Sequence, residues 1–196
     1  MKKAKFAIAL IISMIFFSAC NQQNPDKIGA TTLFVDKDGS VTETIVEDFS
    51  MPQYDTEELS LTIAEEVAAY NSEYGADTVA LKHFDVENGI VKAQLEYRTA
   101  SDYEAFNNEA FFNGTISEAL AAGYTMDVIL QNSANPDETI DLYQILTMQD
   151  KKVLITGIPS RLRVPSKILY VSEDVTIIDE YEVDAFENAD ATIIIY

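Results

Sequence analysis

The feature that most limits what this chain can fold into is the close spacing of its turn residues. Gly39, Gly75, Asn88-Gly89, Asn113-Gly114, Gly123, Pro159 and Pro165 cut the region after Thr31 into short runs. Within these runs the apolar period alternates between two and 3.6, so strands and helices must be brief and closely connected. Residues 32–36 and 40–49 are β-prone and flank Lys37-Asp38-Gly39, where Gly39 supplies the positive φ of a short hairpin turn. Val41 and Ile45 fall on one face with Glu43 between them, the pattern of a half-buried strand.

A helix is expected next. Asp55 is placed to cap it, Glu58 to complete a capping box and Gly75 to end it. Leu59, Ile63, Val67, Tyr70 and Tyr74 form its apolar stripe. Residues 79–86 and 90–97 flank Asn88-Gly89, the dipeptide best suited to a type I′ hairpin turn. A second helix is expected from Ser101 and Glu104, with Tyr103, Phe106 and Phe111 on one side and Asn113-Gly114 interrupting it. Thr115 and Glu118 open a third, short helix ended by Gly123. The remainder reads as strands over 125–131, 138–148, 152–158, 167–172, 175–179 and 191–196. Residues 161–164, between Pro159 and Pro165, are expected at an edge or in a loop. This order predicts an α+β domain: a mostly antiparallel β-sheet with two to three helices packed on one face. The two hairpin–helix units look like a loose structural repeat without residue identity.

The first thirty residues follow a different logic. Lys2, Lys3 and Lys5 precede an apolar run over residues 6–17 broken only by Ser13, and Ser18-Ala19 lead to Cys20. This is the charged, apolar and small-residue order of a secretory signal. The run is about a dozen residues, short of the roughly 20 a membrane span needs. Phe17-Ser18-Ala19-Cys20 resembles the lipobox of bacterial lipoproteins, with Phe17 in place of the usual leucine. The resemblance implies cleavage before Cys20 and lipidation of its thiol. Cys20 is the only cysteine, so an intramolecular disulfide is excluded and modification is its simplest use. Residues 21–30 are polar, contain Pro25 and Gly29, and read as a flexible tether. The expected organisation is a signal over residues 1–19, a lipidated cysteine and tether over 20–30, and one acidic domain over 31–196. Its location is the cell membrane, lipid-anchored on the extracytoplasmic face, with the bilayer as its partner through Cys20.

Loss of the signal takes the basic residues from 13 to 10 against 33 acidic ones, so the net charge moves from −20 to −23. Such a surface is repelled by nucleic acid and by anionic headgroups, which sets nucleic-acid binding aside. Half of those ten cations, Lys151, Lys152, Arg161, Arg163 and Lys167, lie between Asp150 and Glu173 with no acid among them. They form either a patch for an anionic ligand or envelope partner, or a strand surface paired with the protein's own acids; the composition favours the second.

No catalytic constellation stands out, and no cofactor is expected. His83 is the single histidine, without a nucleophile elbow to serve. No Gly-rich phosphate loop occurs, and His and Cys are too few for a zinc site. Asp36, Asp38, Ser40, Thr42, Thr44 and Glu47 follow an EF-hand-like register with glycine misplaced, so calcium at Asp36, Asp38 and Glu47 competes with a plain hairpin. Tyr54, Tyr70, Tyr74, Tyr97, Tyr103, Phe106, Phe111 and Phe112 are either a ligand groove or, the favoured reading, the core between helices and sheet.

The tract from Ser50 to Tyr124, including Asp102-Tyr103-Glu104-Ala105-Phe106-Asn107, Phe112-Asn113-Gly114-Thr115 and Ala122-Gly123-Tyr124, resembles uncharacterised lipoproteins of clostridial Gram-positive bacteria. The resemblance implies an envelope location and no activity. The leading expectation is a membrane-anchored, non-catalytic binding or protein-interaction module. Its rivals are a cell-wall hydrolase using carboxylates and perhaps His83, and an accessory subunit of a transporter or sensor docking through the tract from Lys151 to Lys167.

Overall fold

A computed structural model describes residues 24–51, 53–173, 175–186 and 191–196. The secretory signal and Cys20 lie outside the described residues. The strands are β1 (Thr32–Val35), β2 (Val41–Asp48), β3 (Val79–Glu87), β4 (Ile90–Tyr97), β5 (Phe111–Thr115), β6 (Leu130–Asn132), β7 (Thr139–Ile140), β8 (Lys152–Thr156), β9 (Arg161–Arg163), β10 (Tyr170–Val171), β11 (Val175–Ile177), β12 (Glu182–Ala185) and β13 (Thr192–Ile195). The helices are α1 (Thr56–Tyr74), α2 (Ala100–Asn107), α3 (Ile116–Ala121) and α4 (Leu142–Ile145). The fold is α+β and mostly antiparallel, as the sequence predicts.

There are two sheets, ordered β11-β12-β9-β1-β2-β4-β3 and β5-β8-β13-β10-β6-β7. Among the described residues, β1 and β9 make the one parallel pairing. One core joins both sheets: Leu33, Val41, Leu95, Tyr97 and Leu162 from the first meet Phe111, Leu154, Val171 and Ile194 from the second, with Ile63, Val67, Tyr70 and Phe106 of α1 and α2 packed against them. The opposite face of the second sheet, with Val153, Ile155, Ile193 and Ile195, is covered by Ile116 and Ala119 of α3 and Ile145 of α4. Helices therefore serve both sheets. The second sheet has both faces covered, so β13 is apolar at Ile193, Ile194 and Ile195 without alternation.

Local signals account for most elements. Asn88 and Gly89 adopt φ of 52° and 81°, and β3 and β4 pair from Val79↔Tyr97 to Glu87↔Ile90. A Cβ added to Gly89 would lie 2.8 Å from Ser50 Cβ, so the turn also requires the missing side chain for close approach. The Asp55 carboxylate accepts from the N–H groups of Glu57 and Glu58, and Thr115 and Glu118 form the reciprocal capping box.

Four expectations are corrected. The α2 cap is Thr99, whose hydroxyl accepts from Asp102 N–H at 3.1 Å, and left-handed Asn108 ends the helix; Phe111 thus belongs to a strand. The run over 138–148 is not one strand, because Asp141 and Gln144 close a second reciprocal box and start α4 after β7. Residues 161–163 are interior, between β1 and β12; Pro159 and Pro165 fall outside the paired residues and remove no ladder donor. The strand β12, alternating Val183 and Ala185 inward with Glu182 and Asp184 outward, was not among the expected strands.

Part of the segment expected as tether, residues 24–30, is held against the domain. Lys92 Nζ donates to the carbonyls of Pro25 and Asp26, Thr31 Oγ1 accepts from Val46 N–H at 3.0 Å, and Ile28 is 8% exposed. The segment 24–31 therefore belongs to the folded domain. It meets the face of the first sheet opposite α1, where Thr44 and Gln94 are buried and Gln94 Nε2 donates to Thr44 Oγ1 at 3.0 Å.

Candidate functional site

A buried acid sits at the centre of the core. Glu43 on β2 stands beside Leu33 of β1 and Leu95 of β4 and is 8% exposed. Tyr97 Oη donates to its Oε2 at 2.8 Å and Tyr103 Oη approaches Oε1 at 3.4 Å. Burial pushes the carboxyl up to about 6; the Tyr97 hydroxyl opposes this, the charge of Glu109 adds to it, and the Tyr103 hydroxyl opposes it again. Burial, followed by the charge of Glu43, raises both tyrosines well above their ordinary value, so they stay protonated donors.

Around this group the aromatics fill a core and do not line a groove. Tyr97, Tyr103 and Phe111 are buried, with Tyr97–Tyr103 centroids 4.9 Å apart at 76° and Tyr103–Phe111 4.8 Å apart. Tyr70 meets Phe106 edge-on at 5.4 Å. Tyr74 and Tyr54 lie at the surface, stacked on Tyr70 and against Phe49 respectively. A hydrolase needs two carboxyls converging on a reacting bond. Glu43 has both oxygens turned to tyrosines, and Glu109 is exposed. That geometry suits a satisfied core acid.

The basic tract divides on folding. Arg163 on β9 bridges Asp179 at 3.1 Å and Glu182 at 2.9 Å and lies over the Tyr181 ring. Lys167 bridges Glu180 at 2.5 Å. Both are therefore paired within the chain, the alternative that the composition favours. Arg161 is half-buried, its Nε without a hydrogen-bond partner, and Lys151 is exposed in the turn before β8.

Lys152 joins a different constellation. Asn113, Lys152 and Tyr196 share one face of the second sheet, since Asn113 opposes Leu154 and Tyr196 follows Ile195, the partner of Val153. Tyr196 Oη donates a short hydrogen bond to Asn113 Oδ1, and burial raises the phenol to about 12. The β1–β2 turn of the first sheet, with Asp36, Lys37 and Asp38, and Ser166 from the loop after β9 complete a shallow cleft of about 220 Å³ where the two sheets meet. Ser40 N–H and Oγ–H both donate to Asp38 Oδ1, which holds the turn. Asp36 has no such donors. Burial raises its carboxyl, and the charges of Asp38 and Glu96 raise it further.

The calcium register does not close into a loop. Asp36 and Asp38 are in the β1–β2 turn, whereas Glu47 pairs with Val91 near the far end of β2, six residues beyond Val41 and so about 20 Å away. Among the described residues no three His, Cys, Asp or Glu side chains gather to hold a metal ion. His83 occupies the β3 bulge, where the register shifts between Leu81 and His83; its Nε2 is 3.8 Å from Asp26 Oδ1, beyond hydrogen-bond distance. Neither the particular partners of Lys167 and Arg163 nor the assembly of the cleft is legible in the sequence, because each depends on which segments fold side by side. The charge alternation around Asp36-Lys37-Asp38 was the only local hint.

Comparison with protein-family models, curated proteins and solved structures finds no match to this chain. Among the described residues no helix is long and apolar enough to cross a membrane.

Proposed function

We propose that this protein is a lipoprotein, anchored through Cys20 to the outer face of the cytoplasmic membrane, whose folded part is a non-catalytic binding or interaction module. The observation that carries the reading is the sole cysteine, placed behind a short apolar run and four residues ahead of Asn24, the first residue that the structure describes. Four residues span at most about 14 Å, so the domain would stand directly on the membrane surface. Two acyl chains on the mature N-terminus would make the attachment durable where a single chain would not.

The binding half draws support from the distribution of charge. Lys82, Arg98, Arg163 and Lys167 are each spent on an acid of the same chain, whereas Lys37 and Lys152 at the cleft make no ion pair among the described residues. Metabolic labelling with palmitate tests the anchor. Label and membrane association are expected in the wild-type protein and absent in Cys20→Ala; a Cys20→Ala protein that stays labelled and membrane-bound would sink the proposal.

A further inference from the structure

The cleft between the β1–β2 turn and the β5–β8–β13 face carries charges of both signs that make no close ion pair among the described residues. On one wall Asp36 is half-buried, with no cation within ion-pairing distance among the described residues and with Asp38 as its acidic neighbour. Lys37 reaches into the cleft from the same turn as Asp36, and on the other wall Lys152 extends from β8 opposite Tyr196, its charge acting within the fold only at longer range on Glu118. The neutral groups complement these charges. Asn113 gives its Oδ1 to Tyr196, which leaves its Nδ2 as a donor, and Ser166 contributes a hydroxyl with no hydrogen-bond partner among the described residues.

We propose that this cleft binds a small zwitterion, an amino acid or short peptide, with its carboxylate at Lys152 and Lys37 and its ammonium at Asp36. A simple anion would meet the two lysines but would face Asp36 and Asp38 as well. A simple cation would relieve the acids but leave both lysines opposed to it. Only a ligand with both charges satisfies the two walls together, and a volume of about 220 Å³ admits a molecule of that size. The position agrees with this use: the walls come from different sheets, so the cleft exists only in the assembled fold. This inference deepens the binding-module reading and rests on it, but it does not depend on the anchor.

The test is a titration of the full chain in detergent micelles, followed by amide ¹H–¹⁵N NMR shifts. L-alanine and L-alanyl-L-alanine are the probes; propionate, ethylammonium and calcium are the one-charge controls. Saturable shifts at Asp36, Asn113, Lys152 and Ser166 are expected for a zwitterionic probe, with a midpoint below about 1 mM. Lys152→Ala and Asp36→Asn should each weaken binding at least about tenfold, while Lys151→Ala, one residue away and outside the cleft, should not. Each variant's own spectrum reports whether it has kept the fold. The inference is overturned if no probe gives saturable shifts, if any one-charge control binds as tightly as the zwitterions, or if the cleft variants bind like wild type. A chain that is lipidated yet silent in this titration overturns this inference alone, and one that binds without being lipidated overturns only the anchor.

Discussion

Replacing Glu43 by glutamine removes one ionisation from the centre of the core at nearly constant shape, and its effect should depend on pH in a calculable way. The wild-type carboxyl titrates near 4.5 when unfolded and at about 6 when folded. An acid whose folded value is raised holds its proton more tightly in the native state. Its contribution is therefore fully present below about 4.5 and is lost as pH rises through about 6. At about 1.4 kcal/mol per decade, the loss amounts to about 2 kcal/mol above that window. Glutamine carries no such loss, and its amide still offers Tyr97 an acceptor. Urea denaturation of both proteins at about pH 4 and about pH 8 gives the double difference, in which the many other acids cancel. Glu43→Gln should gain about 2 kcal/mol on wild type across that span, or about 4 to 8 °C in Tm. A stability gap that stays flat with pH, or that widens in favour of wild type at high pH, would refute the account of Glu43 as an acid strained by burial.

Other perturbations probe other links. Asn71 on α1 donates to the Val79 carbonyl at 2.8 Å and accepts from the Val79 N–H at 2.9 Å, while no residue of α1 is fully buried. Asn71→Ala should cost about 1 to 3 kcal/mol and speed hydrogen exchange in α1 well beyond β8 and β13; equal acceleration everywhere would show that the helix is not a separate unit. Gly89→Ala must accommodate φ of 81° and a contact at 2.8 Å with Ser50, so a loss of about 2 kcal/mol in urea is expected. An unchanged midpoint would mean that the turn relaxes freely. Cys20→Ala should release the protein from membranes, and Lys152→Ala should weaken binding at the cleft without changing the unfolding free energy in urea by more than about 0.5 kcal/mol.

The division between what the amino-acid order determined and what folding decided follows the range of the interactions. Turn and cap chemistry is local, so Asn88-Gly89, Gly39, Asp55 and the Thr115–Glu118 box could be read directly, and with them the α+β class. The secretory pattern up to Cys20 is local as well. Failures arose where a pattern had two outcomes: Asp141 and Gln144 turned an apolar run into α4, and left-handed Asn108 ended α2 before Phe111. Tertiary structure alone decided that there are two sheets, since β9 sits between β1 and β12 only through pairings that join distant parts of the chain. It also decided the fate of each charge. Glu43 shares its strand face with Val41 and Ile45 and is buried with them; pairing with β4 brings Tyr97 to its carboxylate, and only the closing of α2 over the sheet adds Tyr103. Arg163 and Lys167 look alike in sequence to Lys152, yet two meet acids from the β11–β12 turn and one is left facing a cleft. A charge's partner depends on which segments fold beside it, and no period or spacing along the chain records that.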